Sequence, residues 1–198
     1  MKNHTALKVL SESVQWDNFF NLVNHVGSTL NSRKDRFDKA DIFEAALEVM
    51  SGGTIAHVDE LGCDHVIFDT VDPELEMKTA RHCLITPKGN IKKTCTVKLM
   101  NSLGDCESRT IDDVIKFDNL LIVDTGNQHS YSVAMISKKE IREEWLDFKK
   151  DGVIFSAPTE ELRFIKKPEQ LTPAQTNNPF SYKEDKKQMQ RVFINQFV

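Results

Sequence analysis

With 198 residues, the chain is long enough for one compact domain with its own core and short for two. A hydrophobic fraction of 39% and a charged fraction of 28% suit a globular protein, and only 8 glycines and 6 prolines exclude collagen-like or low-complexity material. The formal net charge of −4 lacks the strong basic excess that would point directly to nucleic acid, although a basic face can exist on an acidic protein.

The cysteines are Cys63, Cys83, Cys95 and Cys106; none forms a CxxC pair, and no His/Cys cluster has zinc-finger spacing. The opening MKNHTALKVLSESVQWDNFF lacks the apolar centre of a signal peptide. No apolar run approaches the roughly 20 residues that span a bilayer. These features predict a cytoplasmic protein with free thiols and no membrane span.

Residues 5–30 carry Leu7, Leu10, Val14, Phe19, Leu22, Val23 and Val26 at helical intervals and predict one or two helices. Asn31–Asp38 reads as a loop. It ends at a helix start, with Asp38 or Asp41 as N-cap before IFEAALEVM, and Ser51-Gly52-Gly53 stops that helix. His65–Phe68 reads as a strand, Val71-Asp72-Pro73-Glu74 as a turn and Leu75–Ala80 as the returning strand, together a hairpin. Asp59, Glu60, Asp69 and Asp72 read as loop and turn acids. Pro87–Asn90 looks like a further turn and Ile91–Leu99 another strand, with a short helix over Thr110–Ile115. Asn119–Asp124 is the most apolar strand, its branched residues predicting burial on both faces. A turn at Thr125-Gly126-Asn127 and a strand from Ser130 to Ile136 follow. Residues 138–150 predict a charged helix with a stripe at Ile141, Trp145 and Phe148; 156–183 reads as irregular, and a last helix is expected over about 183–196. The order α–β–β–β–α–β indicates a mixed α/β protein with a central sheet.

Acid-x-lysine occurs at Glu76/Lys78, Asp147/Lys149, Glu184/Lys186 and Asp185/Lys187. Only the first lies in a strand whose preceding strand is headed by an acid, Asp64. Alternation puts Glu76 and Lys78 on one face of their strand. The hairpin brings the neighbouring strand to about 4.8 Å. Asp64 can lie beside Glu76 if the strand ends open; Asp69 is the rival acid if the register differs. Two carboxylates and one ammonium on one patch suit phosphodiester hydrolysis. A divalent cation held by the acids neutralises the phosphate and activates water. A lysine can orient that water and stabilise negative charge. The Met77 carbonyl, between the two side chains, is a natural third oxygen ligand.

This pattern resembles the PD-(D/E)xK superfamily of restriction endonucleases, resolvases and phage exonucleases, in which one strand opens with the first acid and the next carries acid-x-lysine. Asp64, Glu76 and Lys78 take these places, and Cys63 stands where the name implies proline. The resemblance spans about residues 40–136. It implies a single α/β, restriction-endonuclease-like domain over 1–198, with a central mixed β-sheet flanked by helices and a helical or irregular extension over about 137–198. It also implies an acid in the helix before the hairpin, either Glu44 or Glu48, that helps bind a second metal or hold the lysine. Asp64, Glu76 and Met77 would hold Mg²⁺, for which Mn²⁺ can substitute. The implied activity is that of a type II restriction endonuclease, prokaryotic or phage-encoded, acting on double-stranded DNA as a homodimer and leaving 5′-phosphate ends. A structure-directed resolvase or repair nuclease, and a non-catalytic binding module with a relic site, are the alternatives. Arg81, His82, Lys88, Lys92, Lys93 and Lys98 form a basic stretch after the site that can contact phosphates; Asn127 and Gln128 can read base edges. Lys183, Lys186, Lys187 and Arg191 can contact DNA, or their segment can pack in a dimer interface through Val192, Phe193, Ile194 and Phe197.

Overall fold

The computed structural model describes residues 4–33, 39–60, 63–80, 84, 91–101, 107–124 and 130–170. The expected turns at Pro87–Asn90 and Thr125–Asn127 and the helix over 183–196 lie outside these residues. Helices α1 (Ala6–Ser13), α2 (Trp16–Arg33) and α3 (Lys39–Met50) come first. Strands β1 (Ile55–Glu60), β2 (Cys63–Ile67), β3 (Glu74–Ala80) and β4 (Thr94–Asn101) follow, then a short helix α4 (Ile111–Val114) and strands β5 (Asn119–Asp124) and β6 (Ser130–Ser137). The described chain ends in β7 (Leu146–Lys149), β8 (Gly152–Pro158) and β9 (Arg163–Gln170).

The central sheet has six strands in the order β1-β2-β3-β5-β6-β9, and it is mixed: β3 runs parallel to β5 while the other neighbours are antiparallel. A second sheet, β4-β8-β7, covers one face of it. The expected mixed α/β class with a central mixed sheet flanked by helices is therefore present. Among the described residues no helix is long and apolar enough to cross a membrane.

β5 explains how both faces fill. All six of its residues are buried. Leu121 and Val123 point into a cluster with Phe19, Phe43 and Leu47 of the helices. Leu120 and Ile122 point the other way, against Val97, Val153 and Phe155 of the smaller sheet. Burial on both sides is what a run of branched apolar residues requires.

The helix ends follow local chemistry. Thr5 caps α1, its side chain accepting from the Lys8 N–H. Asp72, in the β2–β3 turn, accepts from the Ala6 N–H at 2.9 Å and pins α1 to the sheet. Lys39 opens α3, so Asp41 lies within its first turn, where a carboxylate favours the helix dipole; Asp38 lies outside the described residues. Gly52 and Gly53 stop α3 with φ of 62° and 87°, angles that suit glycine.

Three expectations are corrected. Asp59 and Glu60 are not loop residues but the end of β1, a strand antiparallel to β2. Residues 138–150 are not a helix. They form two 3₁₀ turns, Lys138–Glu140 and Glu143–Trp145, and then β7. A capping box between Ser137 and Glu140 closes the first turn, and β7 pairs with β8 across a two-residue turn at Lys150-Asp151. The burial of Leu146 and Phe148 follows a strand alternation that the helical spacing of Ile141, Trp145 and Phe148 concealed. Nor are residues 156–170 irregular: Val153, Phe155 and Ala157 alternate into the core from β8, and β9 is an edge of the main sheet.

Candidate active site

The β2–β3 hairpin forms as its sequence predicts, with His65 opposite Leu75 and Val66 opposite Glu74. This register places Asp64 opposite Glu76, one residue beyond the last paired position. There the two strands part. The Asp64 carboxylate replaces the missing ladder: Oδ2 accepts from the Met77 N–H at 2.8 Å. In a strand the N–H and C=O of one residue project to the same edge, so the Met77 carbonyl shares this open edge with Asp64.

Alternation sorts the side chains. His65, Ile67, Leu75 and Met77 face the helices, and Ile67, Leu75 and Met77 join their cluster. Asp64, Glu76 and Lys78 project from the opposite face. Lys78 Nζ contacts Glu76 and lies 3.8 Å from Asp64 Oδ2. On the parallel neighbour, Leu120 and Ile122 pair with Glu76 and Lys78, so an apolar wall backs the charges.

Burial dominates the electrostatics. Glu76 is 8% exposed; its carboxyl is raised first by that burial, then opposed by the Lys78 charge and raised again by Asp64. Glu44, on α3, is likewise raised by burial and by the charge of Asp64. Its Oε2 sits 3.9 Å from His57 Nδ1, and Lys78 acts on it more weakly than His57 does. Glu48, the other acid considered, is exposed. Burial raises the Cys63 thiol, which disfavours the thiolate a cysteine nucleophile would need.

The donor chemistry fits a hard divalent cation. Asp64 and Glu76 are carboxylates on one face, they carry more negative charge than Lys78 offsets, and the Met77 carbonyl adds a neutral oxygen. As the side chains stand, no three His, Cys, Asp or Glu among the described residues close on one ion. The oxygen set is thus a poised arrangement, with Lys78 between the acids.

Of the other candidates, Asp69 is exposed in the β2–β3 turn with a φ of 59°, at the end of the hairpin away from Asp64. Lys92 and Lys93 lie just before β4 and are held through their backbones: the Lys92 N–H donates to the Leu84 carbonyl at 2.8 Å, and the Lys93 carbonyl accepts from the Thr159 N–H at 2.9 Å. Lys98 is on the surface, 3.8 Å from Asp151. Arg81, His82, Lys88, Asn127, Gln128, Lys183, Lys186, Lys187 and Arg191 lie outside the described residues.

Two histidines are missed by sequence reasoning. His57 is on the unforeseen β1. His65 is wholly buried, with neither ring nitrogen in a well-formed hydrogen bond. Leaving a buried polar group unpaired costs about 1–3 kcal/mol. Burial lowers the imidazole's proton affinity, an effect that the nearby Glu44 backbone opposes only in part. The run HVIF shows a histidine among apolar residues, the one signal of an enclosed imidazole available in advance.

The chain matches no protein-family model, no curated protein and no solved structure.

Proposed function

We propose that this protein is a Mg²⁺-dependent endodeoxyribonuclease with Asp64, Glu76 and Lys78 as its reacting group of residues. The observation that carries the reading is the convergence of these three side chains where β2 and β3 part, with Lys78 in contact with Glu76 and 3.8 Å from Asp64. An inert surface ion pair needs neither the burial of Glu76 nor the opening of the ladder beside it.

In this reading Asp64 and Glu76, with the Met77 carbonyl, hold the cation, and Mn²⁺ can take its place. When bound, the cation supplies charge neutralisation at the scissile phosphate and acidifies a water. Asp64 also acts on the backbone, because its bond to Met77 holds the strand edge open. Lys78 orients the attacking water and offsets negative charge that develops on the phosphate. Its position between two carboxylates keeps the ammonium aimed at the patch. The apolar wall of Leu120 and Ile122 limits water on one side and strengthens these interactions. The products would be 5′-phosphate and 3′-hydroxyl ends. We assign the chain to the sequence-specific, type II restriction kind, in which two copies cut the two strands of a duplex.

The test is incubation of the purified chain with a long natural DNA in Mg²⁺, beside Lys78→Ala and a chelator control. Discrete fragments from the unsubstituted chain alone support the reading. A smear supports a nuclease without sequence preference, and cleavage confined to branched DNA a resolvase. No cleavage of any of these substrates overturns it in favour of a binding module.

A further inference from the structure

His57 and His65 face each other across the antiparallel β1–β2 pair. They are direct register partners, so both side chains leave the sheet on the face that α3 covers. Their ring centroids are 5.7 Å apart and their planes cross at 80°. Glu44 comes down from α3 with Oε2 3.9 Å from His57 Nδ1. The nuclease reading gives no role to either imidazole, and it leaves neither nitrogen of the enclosed His65 in a well-formed hydrogen bond, with the Glu44 backbone as the nearby acceptor.

We propose that Glu44, His57 and His65 form a zinc site, separate from the Asp64–Glu76–Lys78 patch, that ties α3 to the β1–β2 pair. The spacing is the first argument. Two imidazoles on one tetrahedral ion, each at about 2.1 Å, put their ring centroids roughly 5–6 Å apart, which agrees with the 5.7 Å found. A carboxylate oxygen and an imidazole nitrogen on the same ion are roughly 3.4 Å apart, against 3.9 Å here. As the side chains stand the three do not close on one ion, so closure requires side-chain movement. Glu44 and His57 are the partly exposed members and can make it, at 20% and 51% exposure, while enclosed His65 is the fixed point.

Ligand type is the second argument. Two imidazoles and one carboxylate favour borderline ions such as Zn²⁺ over Mg²⁺, which prefers oxygen. A water can complete the tetrahedron. Zinc would give His65 a strong partner and would offset the repulsion between the Asp64 and Glu44 carboxylates. It would also fix β2 on one face at His65, one residue from where Asp64 holds the strand edge open on the other.

The test uses the untagged full chain, stripped of metal, in an Asp64→Asn/Glu76→Gln background that removes the oxygen patch. Zn²⁺ is titrated in competition with a chromophoric chelator, and Co²⁺ is added in parallel to record its visible spectrum. One tight equivalent of Zn²⁺ and the absorption bands of tetrahedral Co²⁺ are expected. His57→Ala and Glu44→Gln, made at the two accessible ligands so that folding is not at stake, should each weaken Zn²⁺ binding. The loss should exceed the roughly 10–100-fold typical of losing an outer-shell partner, and the Co²⁺ bands should disappear. Absence of a tight equivalent, or an equivalent that survives His57→Ala unchanged, overturns the proposal. Because the background lacks Asp64 and Glu76, the outcome does not depend on whether the chain cleaves DNA.

Discussion

The carboxylate of Asp64 takes the hydrogen bond that a backbone carbonyl of β2 would otherwise accept from Met77, at 2.8 Å. One side chain thereby ends the ladder, exposes a strand edge and stands beside Glu76. Fold and chemistry meet at this residue, and substitutions can separate its two roles.

Asp64→Asn keeps an oxygen that can accept from Met77 but loses the negative charge. Stability should stay near that of the unsubstituted chain while cleavage and Mg²⁺ binding are lost. Asp64→Ala removes the acceptor as well, leaving the Met77 N–H unpaired at a part-buried edge, and should cost about 1–2 kcal/mol in addition. Urea unfolding and cleavage, measured on both variants, check the pair. Equal destabilisation by Asn and Ala would show that the hydrogen bond is not what Asp64 contributes to stability.

The raised carboxyl of Glu76 has a consequence for stability. Burial is its first cause, and the folded state binds this proton more tightly than the unfolded chain does. Its contribution is therefore fully present below the unfolded carboxylate value and is lost as pH rises through the folded value. Glu44 has the same sign. In chelator, these groups should make the protein less stable at neutral than at mildly acidic pH. Glu76→Gln should flatten the difference, and Mg²⁺ should restore stability at neutral pH to the unsubstituted chain only. Urea unfolding across that range, with and without Glu76→Gln, provides the measurement; a slope unchanged by the substitution would refute it.

Much of the site was legible because it depends on one alternation and one turn. Glu76 and Lys78 share a face in any strand, and the Val71–Glu74 turn sets the register that brings Asp64 opposite Glu76. β5 was legible because six consecutive apolar or small polar positions can only be buried on both sides. What failed depended on distant partners. Ile55–Glu60 has few apolar residues and ends in two acids, so its strand character comes from pairing with β2. Without β1, His57 had no place and Glu44 no neighbour. In the C-terminal half, the spacing of Ile141, Trp145 and Phe148 fits a helix. The better guide was Asp151-Gly152 between two apolar runs, which marks a turn; the turn itself is Lys150-Asp151, and Gly152 pairs with Lys149 as the first residue of β8.

Asp69 tests the register directly. It adopts a left-handed φ of 59° in an exposed turn, a conformation that strains most L-residues. Asp69→Gly should stabilise the protein by up to about 1 kcal/mol, offset in part by the greater freedom of glycine in the unfolded chain. Cleavage should be unchanged. A loss of cleavage with the fold intact would make Asp69 the first acid in place of Asp64.

In the proposed nuclease reading, Lys78 would compete with the cation for the same carboxylates. Its ammonium contacts Glu76 and faces Asp64, so Lys78→Ala should leave Mn²⁺ affinity unchanged or increased while reducing single-turnover cleavage by about 10²–10³-fold, the scale seen when one positioned donor is removed. Lys78→Arg keeps the charge but replaces a compact ammonium with a longer planar fork, and should not restore the rate. Calorimetry with Mn²⁺ and single-turnover cleavage distinguish the two roles open to it. Lost binding with lost cleavage would make Lys78 a structural support for the acids, whereas retained binding with lost cleavage identifies it as the group that acts on the water.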